Sequence, residues 1–298
     1  MSTNYDTEKQ SIRTVLQDIK SLVKGVVLIA NVLPILSGFW LALYFTNGSF
    51  LDNIEKFIFM TIGGTLVMAG ALILNNWYEV DLDRAMGRTQ ERPTVTGNFS
   101  MKTVLTLGII ATVAGHVLML FTTYEAFVYA FLGWFTYVVL YTFWSKRKYT
   151  LNTVIGSISG AFTPLIGWAT ITSAYHIVPI VLFIVLFIWQ IPHTFAIAMR
   201  RYDEYKAAGV PMLPVVYGFD ITKRQNAVYI ACLLPLPLFL TSLGIFFVLV
   251  MSALNIIWFI IAVRGIFKAD NKNYANTMFY FSLTYLSVVF GLMIFITL

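Results

Sequence analysis

Long apolar runs separated by short polar breaks constrain this chain more than any other feature. They lie at about 24–45, 57–78, 103–122, 126–144, 152–173, 177–199, 226–244, 246–265 and 277–297. Each is near the roughly 20 residues a helix needs to cross the hydrocarbon core of a bilayer. No water is available there to bond backbone amides, so such runs close their hydrogen bonds internally, as helices. Only 11% of the 298 residues are charged, where a soluble domain carries about 25%. The expectation is an all-α integral membrane protein with about nine transmembrane helices. It forms one domain over 1–298, with a polar segment at 1–20. That segment lacks the apolar stretch of a signal peptide, so no cleavage is expected. Cys232, the one cysteine, lies in an apolar run and reads as a buried structural thiol.

The charges sort by loop. If the N-terminus is cytoplasmic, that segment and the 2–3, 4–5, 6–7 and 8–9 loops share one side. Of the 20 lysines and arginines, only Lys56 falls on the other. This asymmetry fits an odd number of spans, with the N-terminus cytoplasmic and the C-terminus outside. It also explains the net charge of +6 without nucleic acid as a partner, because the basic residues follow topology around a lipid bilayer.

Two cytoplasmic loops, about 79–102 and about 200–225, hold the chemistry. At the end of the second run, Asn75, Glu79 and Asp83 are spaced i, i+4, i+8. On a helix that spacing drifts about 40° per step, so the three share one face over roughly 12 Å. Asp81 falls off that face and is expected to pair with Arg84 or Arg88. A solvated helix end would also carry charge. But acidic residues do nothing for topology, and ionisable groups at membrane-helix ends mark function. Hard oxygen ligands followed by arginines suit a divalent cation that holds a polyphosphate. After the sixth run, Asp203 and Glu204 are candidates for a second metal opposite the first. Mg²⁺ suits such oxygens, and Arg88, Arg92 and Lys146 would hold phosphate oxygens as they gain charge. No Gly-rich phosphate loop and no Ser-His-Asp or Cys-His set is present, and one Cys with three scattered His argues against zinc. His193, in the sixth run, is a candidate for acceptor-substrate contact. His116 and His176 read as structural.

The row Asn75-x3-Glu79-x3-Asp83 resembles the signature of UbiA-type intramembrane prenyltransferases. The run from Asp81 through Asp83, Met86, Arg88, Thr89 and Arg92 to Pro93 is similar to a narrower family, the protohaem IX farnesyltransferases or haem O synthases. Asn152 with Gly156 and Thr163-Pro164-Leu165-Ile166-Gly167-Trp168 resemble that family's fifth-helix segment. Trp189-Gln190-x-Pro192-His193 and Asp203-Glu204-Tyr205 through Pro214 resemble its sixth span and following loop. The likeness runs over about 72–216. Glu79 stands where many members have Asp, and Glu204 stands at the usual Asp of the second motif.

The resemblance implies a helical bundle around a central cavity and transfer of a farnesyl group from farnesyl diphosphate to a vinyl group of haem B, with Mg²⁺. It implies metal contacts at Asn75, Glu79, Asp83, Asp203 and Glu204. It implies substrate contacts at Arg88, Arg92, Lys146, Arg201, His193, Trp189 and Asn152. The product, haem O, serves haem-copper oxidases directly or after conversion to haem A, so a haem A synthase is an implied partner. Two other readings stay open. A sister enzyme acting on an aromatic quinone precursor would not need the Arg-Thr-x-x-Arg-Pro and Trp-Gln-x-Pro-His segments. A transporter would favour ionisable residues at mid-membrane, whereas here they cluster at helix ends.

Overall fold

A computed structural model describes residues 14–297; residues 1–13, with most of the polar N-terminal segment, and residue 298 lie outside the described residues. The described residues are helix, turn and loop, with no strand. Eight helical stretches among them are long and apolar enough to cross a membrane, and the protein is a multi-pass membrane protein. The first to fourth are Gly25–Thr46, Leu51–Tyr78, Met101–Met119 and Tyr124–Ser145. The sixth to ninth are Ile177–Arg200, Leu213–Leu243, Ile245–Ile266 and Asn271–Thr297.

The fifth apolar run departs from the expectation of an uninterrupted span. It folds as two helical pieces, Asn152–Ala161 and Thr163–Ala169, that meet at Phe162. Pro164 opens the second piece; it has no N–H to bond back along the helix, and its ring crowds the preceding turn. Prolines act unevenly in this chain. Pro34 and Pro192 sit inside continuous helices, whereas Pro235 and Pro237 end the seventh helix and open a short 3₁₀ stretch, Leu236–Leu243. The seventh helix also begins at Leu213, well before 226, and turns at Gly218, whose φ of 80° is a left-handed conformation suited to glycine. The 200–225 region is therefore mostly helical, not one long loop. Cys232 corrects another expectation: it is exposed on the bundle surface. In a bilayer an apolar thiol sits as readily against lipid as against protein, so hydropathy does not separate the two.

The bundle is built around the sixth helix, which packs against the fifth, seventh and ninth segments. The ninth helix also touches the first, closing the ring. No hydrophobic force pulls helices together inside lipid, so close van der Waals fit does that work. The first helix shows it. Gly167 of the fifth segment lies so close to it that an added Cβ would sit 1.9 Å from the Ile35 carbonyl oxygen, and one on Gly38 would sit 2.2 Å from that of Pro164. Exposed aliphatic side chains such as Ile109, Ile110 and Val113 cover the outer face of the third helix, where lipid meets the protein.

The contact at Gly167 yields a stability prediction. Gly167→Ala forces the first and fifth segments apart and destabilises the fold by about 1–3 kcal/mol. Thermal unfolding in detergent measures this, and an unchanged midpoint contradicts it.

Candidate active site

The second helix ends at Tyr78, yet its hydrogen-bond path continues. The Glu79 amide donates to the Asn75 carbonyl at 3.0 Å, and the Asp83 amide to the Glu79 carbonyl at 2.9 Å. The path runs into the short helix Val80–Ala85. Asn75, Glu79 and Asp83 are each buried, with 1%, 3% and 4% exposure. Asn75 is fixed from its other end, where its Nδ2 donates to Thr142 Oγ1 at 3.0 Å.

Each of the three meets a cation. Lys24 Nζ donates to Asn75 Oδ1, Lys146 Nζ lies 2.5 Å from Glu79 Oε2, and Arg92 Nη1 lies 2.6 Å from Asp83 Oδ2. The same Arg92 nitrogen donates to Asn76 Oδ1 at 2.9 Å. Charges this close to hydrocarbon are costly unless paired and bonded. Burial works against the Lys146 ammonium, but the Glu79 carboxylate beside it outweighs that and pushes its pKa up. Lys24 goes the other way: burial and the Arg92 charge push it down to about 7.

The second acidic element faces the first through Arg88. Its Nε lies 3.7 Å from Glu204 Oε2, and its Nη2 donates to Tyr205 Oη at 3.3 Å. Arg201 holds the other Glu204 oxygen at 2.9 Å. Beneath these contacts Leu82 and Met86 pack with Ala198, Tyr205, Val210 and Met212, fastening the two loops together. Asp203, next to Glu204, is exposed and makes no hydrogen bond or ion pair among the described residues. Asp81 corrects its expected pairing: both its oxygens accept from Arg147 at 2.7 Å, not from Arg84 or Arg88. It points outward, off the Asn75 row, where the 4–5 loop brings Arg147 over the Tyr78 ring, 5.0 Å away. The Arg147 hydrogen bonds hold its carboxyl below the usual range.

A cavity of about 230 Å³ lies between the helices. Its lining includes Tyr141, whose ring is 5.3 Å from Lys146 Nζ, so the cavity adjoins the charged cluster. The remaining expected residues lie elsewhere. Asn152 is fully buried and donates to the Tyr149 and Pro211 carbonyls at 2.7 and 3.4 Å, tying the Lys146 loop to the sixth-to-seventh connection. Trp189 and His193 face the ninth helix. Their rings stack at 4.7 Å, and Trp189 Nε1 donates to the Ser282 carbonyl at 2.9 Å. Ser282 Oγ donates to the Phe279 carbonyl at 2.6 Å, so at its 2.7 Å contact with His193 Nδ1 it accepts. His193 is therefore held through Nδ1, and its Nε2 makes no hydrogen bond among the described residues.

Several residues at the site were given no role from sequence: Lys24, Asn76, Thr142, Tyr141 and Tyr205, the last seen only as part of a motif. Lys24 was visible only as one more charge before a span. Tyr141 and Thr142 lie in a stretch wound with wider π-type turns, Thr136–Ser145, which defeats periodicity arguments based on 3.6 residues per turn.

Residues 31–284 match the UbiA prenyltransferase family, and the chain belongs to that family. A protein of Oceanobacillus iheyensis named protoheme IX farnesyltransferase is 53% identical over 293 residues, covering 98% of this chain and 93% of that one. One of the same name from Bacillus thuringiensis is 50% identical over 285 residues, covering 95% and 93%. Two solved structures share the fold. One, from work on digeranylgeranylglyceryl phosphate synthase in membranes, has a TM-score of 0.74 at 20% identity, covering 95% of this chain and 98% of that one. The other, a UbiA homolog from Archaeoglobus fulgidus bound to GPP and Mg²⁺, has a TM-score of 0.63 at 16% identity, covering 93% and 99%.

The donor set fits a hard divalent cation. Glu79 Oε1 and Glu204 Oε2 are buried without a hydrogen-bond partner among the described residues. Among those residues no three carboxylates, histidines or cysteines converge on one point. The two unpartnered oxygens are hard ligands of the kind Mg²⁺ takes, with substrate phosphates and water able to complete an octahedron.

The two aspartates should therefore separate. Asp83→Asn lowers prenyl-transfer turnover by about 100-fold or more, while Asp81→Asn, at a surface pair worth at most about 1 kcal/mol, leaves it near the parent rate. Side-by-side turnover of the two variants measures this, and equal losses contradict the assignment.

Proposed function

We propose that this chain transfers the farnesyl group of farnesyl diphosphate to a vinyl group of protohaem IX (haem B), giving haem O and diphosphate. The observation that carries this reading is the meeting of the Asn75–Glu79–Asp83 row with Glu204, through Arg88, beside a cavity between membrane helices. Relatives of 50% identity and above over nearly the whole chain carry the farnesyltransferase name. That favours haem over an aromatic quinone precursor.

In this reading Asn75, Glu79 and Asp83 hold one Mg²⁺, and Glu204, with Asp203, a second. Bound there, Mg²⁺ neutralises the leaving diphosphate so that the allylic C–O bond can ionise. The protein's own cations are already in place. Arg88, Arg92, Lys146 and Lys24 let go of their carboxylate or amide partners and take up phosphate oxygens, so the site changes partners without gaining unpaired charge. Arg201, at the rim, holds Glu204 in line. The farnesyl chain enters the cavity, which shields the first cation from bulk water. The terminal vinyl carbon attacks C1 of that chain, and water quenches the cation left on the haem side. Trp189 and His193 are assigned to the haem, with His193 Nε2, the ring nitrogen that Ser282 does not hold, as the one that meets it. Asn152 serves by holding the Lys146 loop.

In this reading the reaction lies near the cytoplasmic face of a bacterial cell membrane, with the N-terminus inside and the C-terminus outside, and the distribution of basic residues among the loops supports it. Both substrates partition into lipid. The product suits haem-copper oxidase assembly, with a haem A synthase as the enzyme that consumes it.

The test is an assay of the protein in membranes with farnesyl diphosphate, haem B and Mg²⁺, read by the mass of the extracted haem. Farnesylated, hydrated haem forms with Mg²⁺, chelation stops it, and added Mg²⁺ restores it. Prenylation of a quinone precursor with haem B untouched overturns the reading.

A further inference from the structure

The wall of the cavity formed by the sixth helix is polar, and nothing assigned above uses it. Gln190 and Thr194, one turn apart, both line the cavity. The Gln190 amide is held in one orientation. Its Nε2 donates to the Leu186 carbonyl of its own helix at 3.0 Å and to the Ser157 carbonyl of the fifth segment at 3.2 Å. Both partners are acceptors, so the nitrogen lies on that side and Oε1 on the other. Gly160 makes room for the amide: a Cβ there would lie 2.4 Å from Oε1. Oε1 accepts no hydrogen bond from the described residues, and Thr194 Oγ1 makes none with them.

An acceptor fixed in a cavity within the membrane calls for a donor, since an unmet polar group there costs free energy. A farnesyl chain has no N–H or O–H, and neither has a vinyl group on a porphyrin edge. Water has two O–H donors, and a polar cavity of this size accommodates it. A purely apolar tunnel for the prenyl chain would have no use for this pair.

The geometry points to Gln190 and Thr194 as the site that holds the water added to the haem-side cation, so that this pair sets whether the product is hydrated. The inference rests on the farnesyl-transfer reading above. In that step the farnesyl C1–O bond has broken and the C1–vinyl carbon bond has formed, leaving a cation on the carbon attached to the porphyrin. The water oxygen bonds to that carbon. One of its protons leaves and is taken by the released diphosphate, the base the reaction itself supplies. No oxidant or reductant is needed. Without a held water the same cation loses a proton from the neighbouring carbon. The product is then an alkene, lighter by one water.

The experiment incubates the full chain in membranes with farnesyl diphosphate, haem B and Mg²⁺ and measures the ratio of hydrated to dehydrated farnesyl haem by mass. The ratio is internal to each sample, so a lower amount of active protein does not move it. Gln190→Met, of similar volume, lowers the ratio about tenfold, the effect of one lost hydrogen bond on the attacking water. Thr194→Val, which keeps the shape, lowers it in the same direction, and Thr194→Ser restores it. Parent-like ratios in both Gln190→Met and Thr194→Val overturn the inference while haem farnesylation by the parent stands. A parent chain that makes no farnesylated haem overturns the farnesyl-transfer reading, and this inference with it.

Discussion

The pairing of buried carboxylates with buried cations at the end of the second helix is the constraint on which the rest of this structure depends. Lys146 against Glu79 and Arg92 against Asp83 draw the fourth segment and the 79–102 region onto one point. Lys24 brings the start of the first helix to the same place through Asn75. None of these charges would be stable alone beside hydrocarbon. Removing one partner of a buried pair costs about 3–5 kcal/mol, because the other is stranded. The pairs are therefore structural clamps and, on the proposed reading, a site whose carboxylates are already paired.

That dual character ties fold to chemistry. A cluster of carboxylates without cations would repel itself, and a cluster of cations would repel itself equally. Held as pairs, both sets are in position before a metal and a diphosphate arrive, which bring charges of opposite sign. On the proposed reading the exchange of partners needs little rearrangement, and such preorganisation is where most electrostatic catalysis originates. On the proposed reading the adjoining cavity adds a largely apolar space next to the ionising bond, and Gln190 with Thr194 adds a controlled place for water.

How much of this was legible in the sequence depended on the interaction. The helices followed from hydropathy, because the bilayer leaves the backbone no alternative. The Asn75–Glu79–Asp83 row followed from the 3.6-residue period, and the hydrogen bonds that carry the helix past Tyr78 preserve it. Contacts between distant segments were not legible. Nothing local pairs Asp81 with Arg147, places Lys24 on Asn75, or turns Trp189 and His193 toward Ser282 while Gln190 and Thr194 face the cavity. Those depend on which helices become neighbours. Hydropathy also missed the break at Phe162 and the exposure of Cys232: it scores apolarity without distinguishing a continuous helix from a broken one, or lipid from protein interior. The motif around Trp189, Gln190 and His193 was visible as a string, but its division between two neighbouring faces of the helix emerged only in three dimensions.

The central claim is that Mg²⁺ and a diphosphate jointly displace the internal pairs. Calorimetric binding of a non-hydrolysable farnesyl diphosphate analogue to the parent chain and to Glu79→Gln, with and without Mg²⁺, tests it most directly. Binding to the parent is tight only when Mg²⁺ is present, and that Mg²⁺ dependence is lost in Glu79→Gln. Equal affinity for the analogue with and without Mg²⁺ in the parent would contradict it.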